Sequence, residues 1–136
     1  MEDNNTYSKV LETHPQWVND GWISGRYPDY ITIPDGSRFK AKVGFIHGAI
    51  GTDGAFFNIR FNDGLNSYYF PSSDGIYCAN DGHLDSMNID LSLIVGKTGR
   101  IYIGVKAGST SDQDWAVWVN PQITNFKYFV IPPKFP

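Results

Sequence analysis

Apolar and polar residues alternate along most of this chain with a period of two. The clearest run is 38–46, where Phe39, Ala41, Val43 and Phe45 alternate with the basic residues Arg38, Lys40 and Lys42. Successive side chains of a strand point to opposite faces, so this run predicts a strand with one buried face. The same pattern or a short aromatic run predicts strands at 30–33, 56–61, 66–70, 87–93 and 100–107, and a last strand that contains Trp115.

Six Asp-Gly pairs divide these runs, at 20–21, 35–36, 53–54, 63–64, 74–75 and 81–82. Asp tolerates the left-handed region and Gly adopts it at no steric cost, so the pairs predict tight turns. A helical period is absent, except for a weak start at 7–11. We therefore expect an all-β fold, an antiparallel two-sheet β-sandwich or jelly roll over residues 28–130. Residues 1–27 are expected to form an N-terminal wrap or linker, and residues 131–136 a C-terminal tail.

Composition narrows the function classes. The 136 residues suit one domain, and the net charge of −3 with 11 scattered basic residues argues against a nucleic-acid partner. No apolar run reaches the ~18 residues of a membrane span, so no membrane insertion is expected. Cys78 is the single cysteine and is expected to be buried. The polar start of the chain does not resemble a signal peptide.

Alternate loops of such a sandwich fall at opposite ends. One end collects loops 35–37, 62–66 and 96–99. The other collects 22–29, 48–54, 71–82 and 108–113, and it holds far more aromatic and polar side chains. Binding residues concentrate on loops that a rigid scaffold positions, so this second end is the predicted site.

The run 111–123, SDQDWAVWVNPQI, contains two tryptophans three residues apart. On a strand, Trp115 and Trp118 leave from opposite faces. Trp115 shares its face with Val117 and Val119, which favours a core position. Trp118 is then either an exposed contact or packed under a terminal segment. Asp112 belongs to the loop end, and Asp114 marks the start of the last strand.

Three sequence motifs, in the order in which they occur along the chain, resemble those of the NPCBM-type module, a carbohydrate-binding module with a galactose-binding-like β-sandwich. The first is the run FKAKVG at 39–44, and the second is TDGAFFNIRFNDG at 52–64. The third is IYIGVKAG at 101–108, followed by DWA at 114–116. The resemblance covers about residues 28 to 125. It implies glycan binding, and it implies a possible structural Ca²⁺ without placing it. The stretch 68–83 is longer and more aromatic than the family pattern.

Sugar rings present apolar C–H faces and hydroxyl groups, so a glycan site needs exposed aromatic rings beside planar hydrogen-bonding groups. The ligand-binding candidates at the chemically rich end are Tyr77, Asn80, His83, Asp112, Trp118 and Trp22. Asp53 and Asp112 are weak candidates for Ca²⁺, and each also suits plain turn chemistry. Trp17 and Trp22 also suit the anchoring of an N-terminal wrap.

The sequence therefore predicts a non-catalytic carbohydrate-binding module that needs no cofactor. It lacks a Gly-x-Ser-x-Gly elbow and a phosphate loop, which disfavours an enzyme. We expect an extracellular or cell-surface protein, with a possible attached catalytic or surface domain. The alternative is a structural or protein–protein interaction module, with an apolar patch around Trp118 and 126–129 buried in an oligomer.

Overall fold

The computed structural model describes residues 1–125 and 134–136, and it shows ten strands and one 3-10 turn in this part of the chain. The early strands are short: β1 (Val10–Thr13), β2 (Trp22–Arg26) and β3 (Ile31–Thr32). The remaining strands are β4 (Arg38–Phe45), β5 (Ala55–Asn62), β6 (Ser67–Phe70), β7 (Ile76–Cys78), β8 (Asp85–Asp90), β9 (Thr98–Ala107) and β10 (Ala116–Ile123). The 3-10 turn, Ser92–Ile94, lies between β8 and β9.

The strands form two antiparallel sheets, which confirms the predicted all-β sandwich. One sheet has four strands in the order β1-β10-β4-β8. The other has six, in the order β2-β9-β5-β6, with β3 beside β9 and β7 beside β5. Neighbouring strands are mostly distant in sequence, as in β10-β4 and β9-β5, so long-range pairing closes the fold.

Aromatic side chains join the two sheets in the core. Phe45 and Phe57, from opposite sheets, have ring centroids 6.3 Å apart, and Phe57 lies 5.2 Å from Trp118. Both contacts are edge-to-face, the favoured geometry of paired rings. The residues predicted to face inward on β4, β5 and β9 are all buried: Phe39, Ala41, Val43, Phe45, Phe57, Ile59, Phe61, Ile101, Ile103 and Val105.

The last strand differs from its prediction at the two tryptophans. Trp118 is 0% exposed and is a central core residue, so its assignment as a ligand contact is wrong. Trp115 precedes the strand and is only partly buried against the core. Val117 and Val119 lie on the outer face of the sheet and are also buried. A register shift between Val119 and Gln122 then returns Ile123 to the core.

The structure also differs from the prediction over residues 1–27, because this segment belongs to the sandwich. Strand β1 pairs with β10 in one sheet, and β2 pairs with β9 in the other. The weak helical start at 7–11 is wrong, because β1 begins at Val10. Before β1, Glu2 is buried, and Tyr7 lies with its ring 5.7 Å from Lys42 Nζ.

The predicted C-terminal tail continues the six-stranded sheet at its β2 edge. Lys134 and Arg26 exchange two backbone hydrogen bonds of 2.7 and 2.8 Å. The ring of Phe135 lies over Gly25, where an added Cβ would meet it at 2.5 Å. The predicted patch at 126–129 lies outside the described residues, as does the rest of the tail.

Two further differences concern the stretch after β6 and the strand before β9. The predicted loop 71–82 contains β7, whose residues pair with β5 from Ala55 to Phe57. The predicted strand 87–93 ends earlier, because the 3-10 turn replaces its last residues and leaves Leu93 exposed. Cys78, on β7, is buried as predicted.

Candidate functional site

The outer face of the six-stranded sheet carries the most distinctive arrangement of exposed side chains. Strand register places these side chains in three parallel rows that run across the strands. The first row is Trp22, Lys106, Phe56 and Tyr77. The second is Ser24, Gly104 and Asn58. The third is Lys134, Arg26, Tyr102, Arg60 and Tyr69.

The middle row is low because its side chains are small. Gly104 lies between Ser24 and Asn58, and an added Cβ there would meet Asn58 Oδ1 at 2.8 Å. The absence of a side chain at Gly104 thus lets the Asn58 amide lie across the sheet. The hydroxyl of Ser24 and the amide of Asn58 give this floor hydrogen-bonding groups.

The first row forms an aromatic wall. Trp22 is 61% exposed and Tyr77 is 51% exposed, at opposite ends of the row. Phe56 supports Tyr77, with ring centroids 5.3 Å apart, and the Tyr77 hydroxyl donates to the Asp53 carbonyl at 2.8 Å. Lys106 stands between Trp22 and Phe56 in this row, and its Nζ lies 3.5 Å from Asp20 Oδ1 in an exposed ion pair.

The third row forms a wall in which cations alternate with aromatic rings. The Arg60 guanidinium lies 4.0 Å from the centroid of the Tyr102 ring, which holds it flat by a cation–π contact. Tyr69, 45% exposed, ends the row beside Arg60. Among the described residues, neither Arg26 nor Arg60 forms an ion pair with a carboxylate.

The two walls and the floor enclose a groove of about 270 Å³. We call it the cross-strand groove, and its lining includes Trp22, Lys106, Ser24, Gly104, Asn58, Arg60 and Tyr69. Each wall is two residues from the floor along the strands, so the Cα atoms of the walls are about 13 Å apart. The groove therefore suits an elongated ligand that lies across the strands.

The predicted loop end is held together mainly by its own hydrogen bonds. Asn80 Nδ2 donates to the Ala49 carbonyl at 2.6 Å, and Asp53 Oδ2 accepts from the Thr110 backbone N–H at 3.0 Å. His83 is exposed, with Nδ1 3.6 Å from Asp81 Oδ1, and Asp112 is exposed too. The structure thus brings Trp22 and Tyr77 into one row and leaves Asn80, His83 and Asp112 on the loops.

Asp114 is the buried carboxylate of this loop end. Its Oδ1 accepts from the Thr52 hydroxyl, whose oxygen in turn accepts from the Gly54 backbone N–H at 3.0 Å. Its Oδ2 is buried without a protein partner among the described residues. Desolvation raises the pKa of Asp114 above its ordinary 3.8, while the Thr52 hydrogen bond opposes the shift. Its hydrogen bond with Thr52 joins the β4–β5 loop to the segment before β10.

The described residues contain no cluster of three or more His, Cys, Asp or Glu side chains that could hold a metal ion. Asp53 already binds a backbone N–H, as a turn residue does. A calcium role for Asp53 or Asp112 stays a prediction.

A second groove, of about 460 Å³, lies on the outer face of the four-stranded sheet. Its lining includes Lys40, Lys42, Asn88 and Gln122. Tyr7 is the aromatic residue among its lining residues, and the Tyr7 hydroxyl donates to Asp3 Oδ2 at 2.6 Å. The cross-strand groove, which has two exposed rings on facing walls, is the better candidate.

Most of the cross-strand groove was not predicted from the sequence, although its residues follow a visible pattern there. Asn58 and Arg60 are the outward members of the run FNIRF, and Tyr102 and Gly104 are those of IYIGV. The alternation that predicted the inward residues of these strands also predicted that these four residues face outward. Which outward residues become neighbours depends on pairing between β2, β9 and β5, which the sequence does not specify.

No protein-family model matches the chain, and no curated protein matches it. In the part of the chain that the structure describes, no helix has the length and apolar character needed to cross a membrane.

Proposed function

We propose that this protein is a non-catalytic carbohydrate-binding module whose ligand lies in the cross-strand groove. The observation that carries the proposal is the pair of exposed rings, Trp22 and Tyr69, on facing walls above a polar floor. This location differs from the loop end that the sequence favoured. Trp22 and Tyr77 are retained from that prediction, and Tyr69, Asn58 and Arg60 are added.

The chemistry of the groove matches a sugar chain. Aromatic side chains supply flat apolar area for the C–H faces of sugar rings, and they lose little conformational entropy on binding. The Asn58 amide both donates and accepts hydrogen bonds, and the Ser24 hydroxyl does the same. Arg60 is held in place by Tyr102, so its donors are positioned before a ligand arrives. Because the groove spans four neighbouring strands, from Trp22 on β2 to Tyr69 on β6, we propose that it binds internal units of a linear glycan.

Trp22→Ala tests this proposal. We expect it to weaken glycan binding about tenfold, because covering an exposed ring contributes about 1.5 kcal/mol. Trp17→Ala is the matched control, since Trp17 is 69% exposed but stacks on His14 with centroids 4.1 Å apart and does not line the groove. Affinity electrophoresis through a panel of immobilised polysaccharides, with and without Ca²⁺, gives the measurement.

Two results would contradict the proposal. One is the absence of retardation by every polysaccharide in the panel. The other is equal binding by the Trp22→Ala and Trp17→Ala variants. A change on addition of Ca²⁺ would support the predicted metal role without moving the site.

The alternative, an interaction module that buries an apolar patch around Trp118, loses its central residue because Trp118 is in the core. Sedimentation that shows a stable multimer, together with no glycan binding, would favour an interaction module built on another surface.

A further inference from the structure

Charge is segregated in this sandwich, and the segregation points to the type of glycan. The strands of the six-stranded sheet contain no Asp or Glu in the part of the chain that the structure describes. They contain four basic residues, which are Arg26, Arg60, Arg100 and Lys106. The protein as a whole carries a net charge of −3. The strands of this sheet are therefore positively charged although the molecule is negative overall.

Two of these four basic residues share one wall of the cross-strand groove. Arg26 and Arg60 belong to the third row, which Lys134 extends by pairing with Arg26. Lys106 stands on the other wall, where Asp20 offsets its charge. The third-row wall is therefore cationic as well as aromatic, whereas the first-row wall is mainly aromatic.

This asymmetry fits a sugar chain that carries negative groups. The aromatic wall suits the apolar face of the ring, and guanidinium groups form strong paired hydrogen bonds with carboxylates and similar anions. We propose that the ligand of the groove is an acidic polysaccharide, whose units carry carboxylate or sulfate groups. This inference rests on the proposed function of the groove. A neutral glycan would leave the cationic wall without a counterpart.

A nucleic acid also combines flat rings with negative charge, but the charge balance favours the glycan. Binding of a phosphate backbone depends on many clustered Lys and Arg residues along its path. This face has three cations on one wall, and the loops around it are rich in Asp. A chain with one anion per sugar unit requires fewer cations than a phosphate backbone.

The test compares ligands that share a backbone and differ in charge. Polygalacturonate is titrated against its methyl ester, dextran sulfate against dextran, and oligothymidylate serves as the nucleic-acid arm. We expect the charged member of at least one glycan pair to bind about tenfold more tightly than its neutral partner. The two pairs distinguish carboxylate from sulfate. Raising the salt concentration should weaken the charged complex and leave any neutral one unchanged.

The matched variants are Arg26→Gln/Arg60→Gln and, on the other sheet, Lys40→Gln/Lys42→Gln. Both remove two positive charges from outer strand positions. The arginine variant should lose the preference for the charged glycan, and the lysine variant should keep it. Circular dichroism shows whether the arginine variant folds. If it does not fold, the salt dependence of glycan binding by the wild type decides whether the charge of the glycan contributes to affinity.

The outcomes separate this inference from the proposed function. Equal affinity for charged and neutral glycans, sensitive to Trp22→Ala, overturns the inference and leaves the proposed function standing. Binding of oligothymidylate above all the glycans overturns the inference. Binding of none of the glycans overturns both.

Discussion

One buried carboxylate, Asp114, joins the β4–β5 loop to the start of the last strand. Its burial is costly, because Oδ2 has no protein partner among the described residues. Desolvation is the largest effect and raises the pKa of Asp114, and the neighbouring carboxylates of Asp53 and Asp112 raise it further, against the lowering effects of the Thr52 hydroxyl and His14. The native protein therefore holds this proton to higher pH than the unfolded chain does.

Asp114→Asn should become more stable relative to the wild type as the pH rises above 3.8. Between that value and the raised folded pKa, the native wild type binds more protons than its unfolded state, so its stability falls with rising pH. Asn does not ionise and therefore avoids this loss. Urea denaturation of both proteins from about pH 3.5 to about pH 7.5 measures the effect.

Asp74→Asn, at an exposed turn, is the control and should follow the wild type. An unchanging difference between Asp114→Asn and the wild type across the pH range would contradict the account of Asp114.

Single residues also show which features could be predicted from the sequence and which could not. At five of the six Asp-Gly pairs the glycine has the positive φ that turn chemistry predicts, and at 20–21 Asp20 has it instead. Of the two tryptophans, Trp118 is the central core residue, and Trp115, which was predicted to be the core residue, is only partly buried against the core. The apolar partners of Trp115, Val117 and Val119, suggested a core face, but they are buried on the outer face of the sheet.

At the scale of elements, the segment before β1 explains this reversal. Glu2 is buried against Gly44 on the outer face of β4, where its Oε1 accepts from the Phe45 N–H at 2.8 Å and its Oε2 from the Gly82 N–H at 3.1 Å. Apolar residues are then buried on both sides of β10, Trp118 on the inner side and Val117 and Val119 on the outer side, and alternation no longer identifies the core face. The register shift after Val119 further changes which residues face inward.

Glu2→Ala should destabilise the domain by about 1–3 kcal/mol, because it leaves two backbone N–H groups without their acceptor. Glu12→Ala, at an exposed position on β1, should change stability by less than about 0.5 kcal/mol. Thermal and urea denaturation of both variants give the comparison. Equal stability of the two would show that the N-terminal segment is not fastened by this carboxylate.

For the whole molecule, the sequence predicted the fold class and seven strand positions, because period-two alternation depends on one buried face per strand. It missed β1, β2 and β7, which are short and lack clear alternation. The cross-strand groove was not predicted from the sequence for a different reason. Its rows join residues such as Trp22 and Tyr77, which are far apart in sequence, and only the pairing of four strands aligns them.

Cys78 provides a test of how cooperatively the two sheets are held. Burial, with a contribution from Asp85, raises the pKa of its thiol well above the ordinary range, and the thiol is enclosed between β7 and the core. Native protein should react with a thiol reagent at least about a thousandfold more slowly than urea-unfolded protein, since exposure requires an opening of about 5 kcal/mol.

Leu65→Cys on a Cys78→Ser background is the matched control, because Leu65 is fully accessible at a turn. It should react at the same rate whether folded or unfolded. Fast labelling of native Cys78 would show that β7 opens independently of the sandwich.

Among the residues that the structure describes, Asp85 and Asp90 are the aspartates that lie within strands, so acidic loops flank the basic face at both ends of the strands. These loops border the cross-strand groove on its two long sides. A negative chain would be repelled if it turned toward either end, and attracted while it stayed along the groove. On an acidic fibre, the domain would therefore sit with its strands crosswise to the fibre axis, aligned by charge before any sugar makes contact.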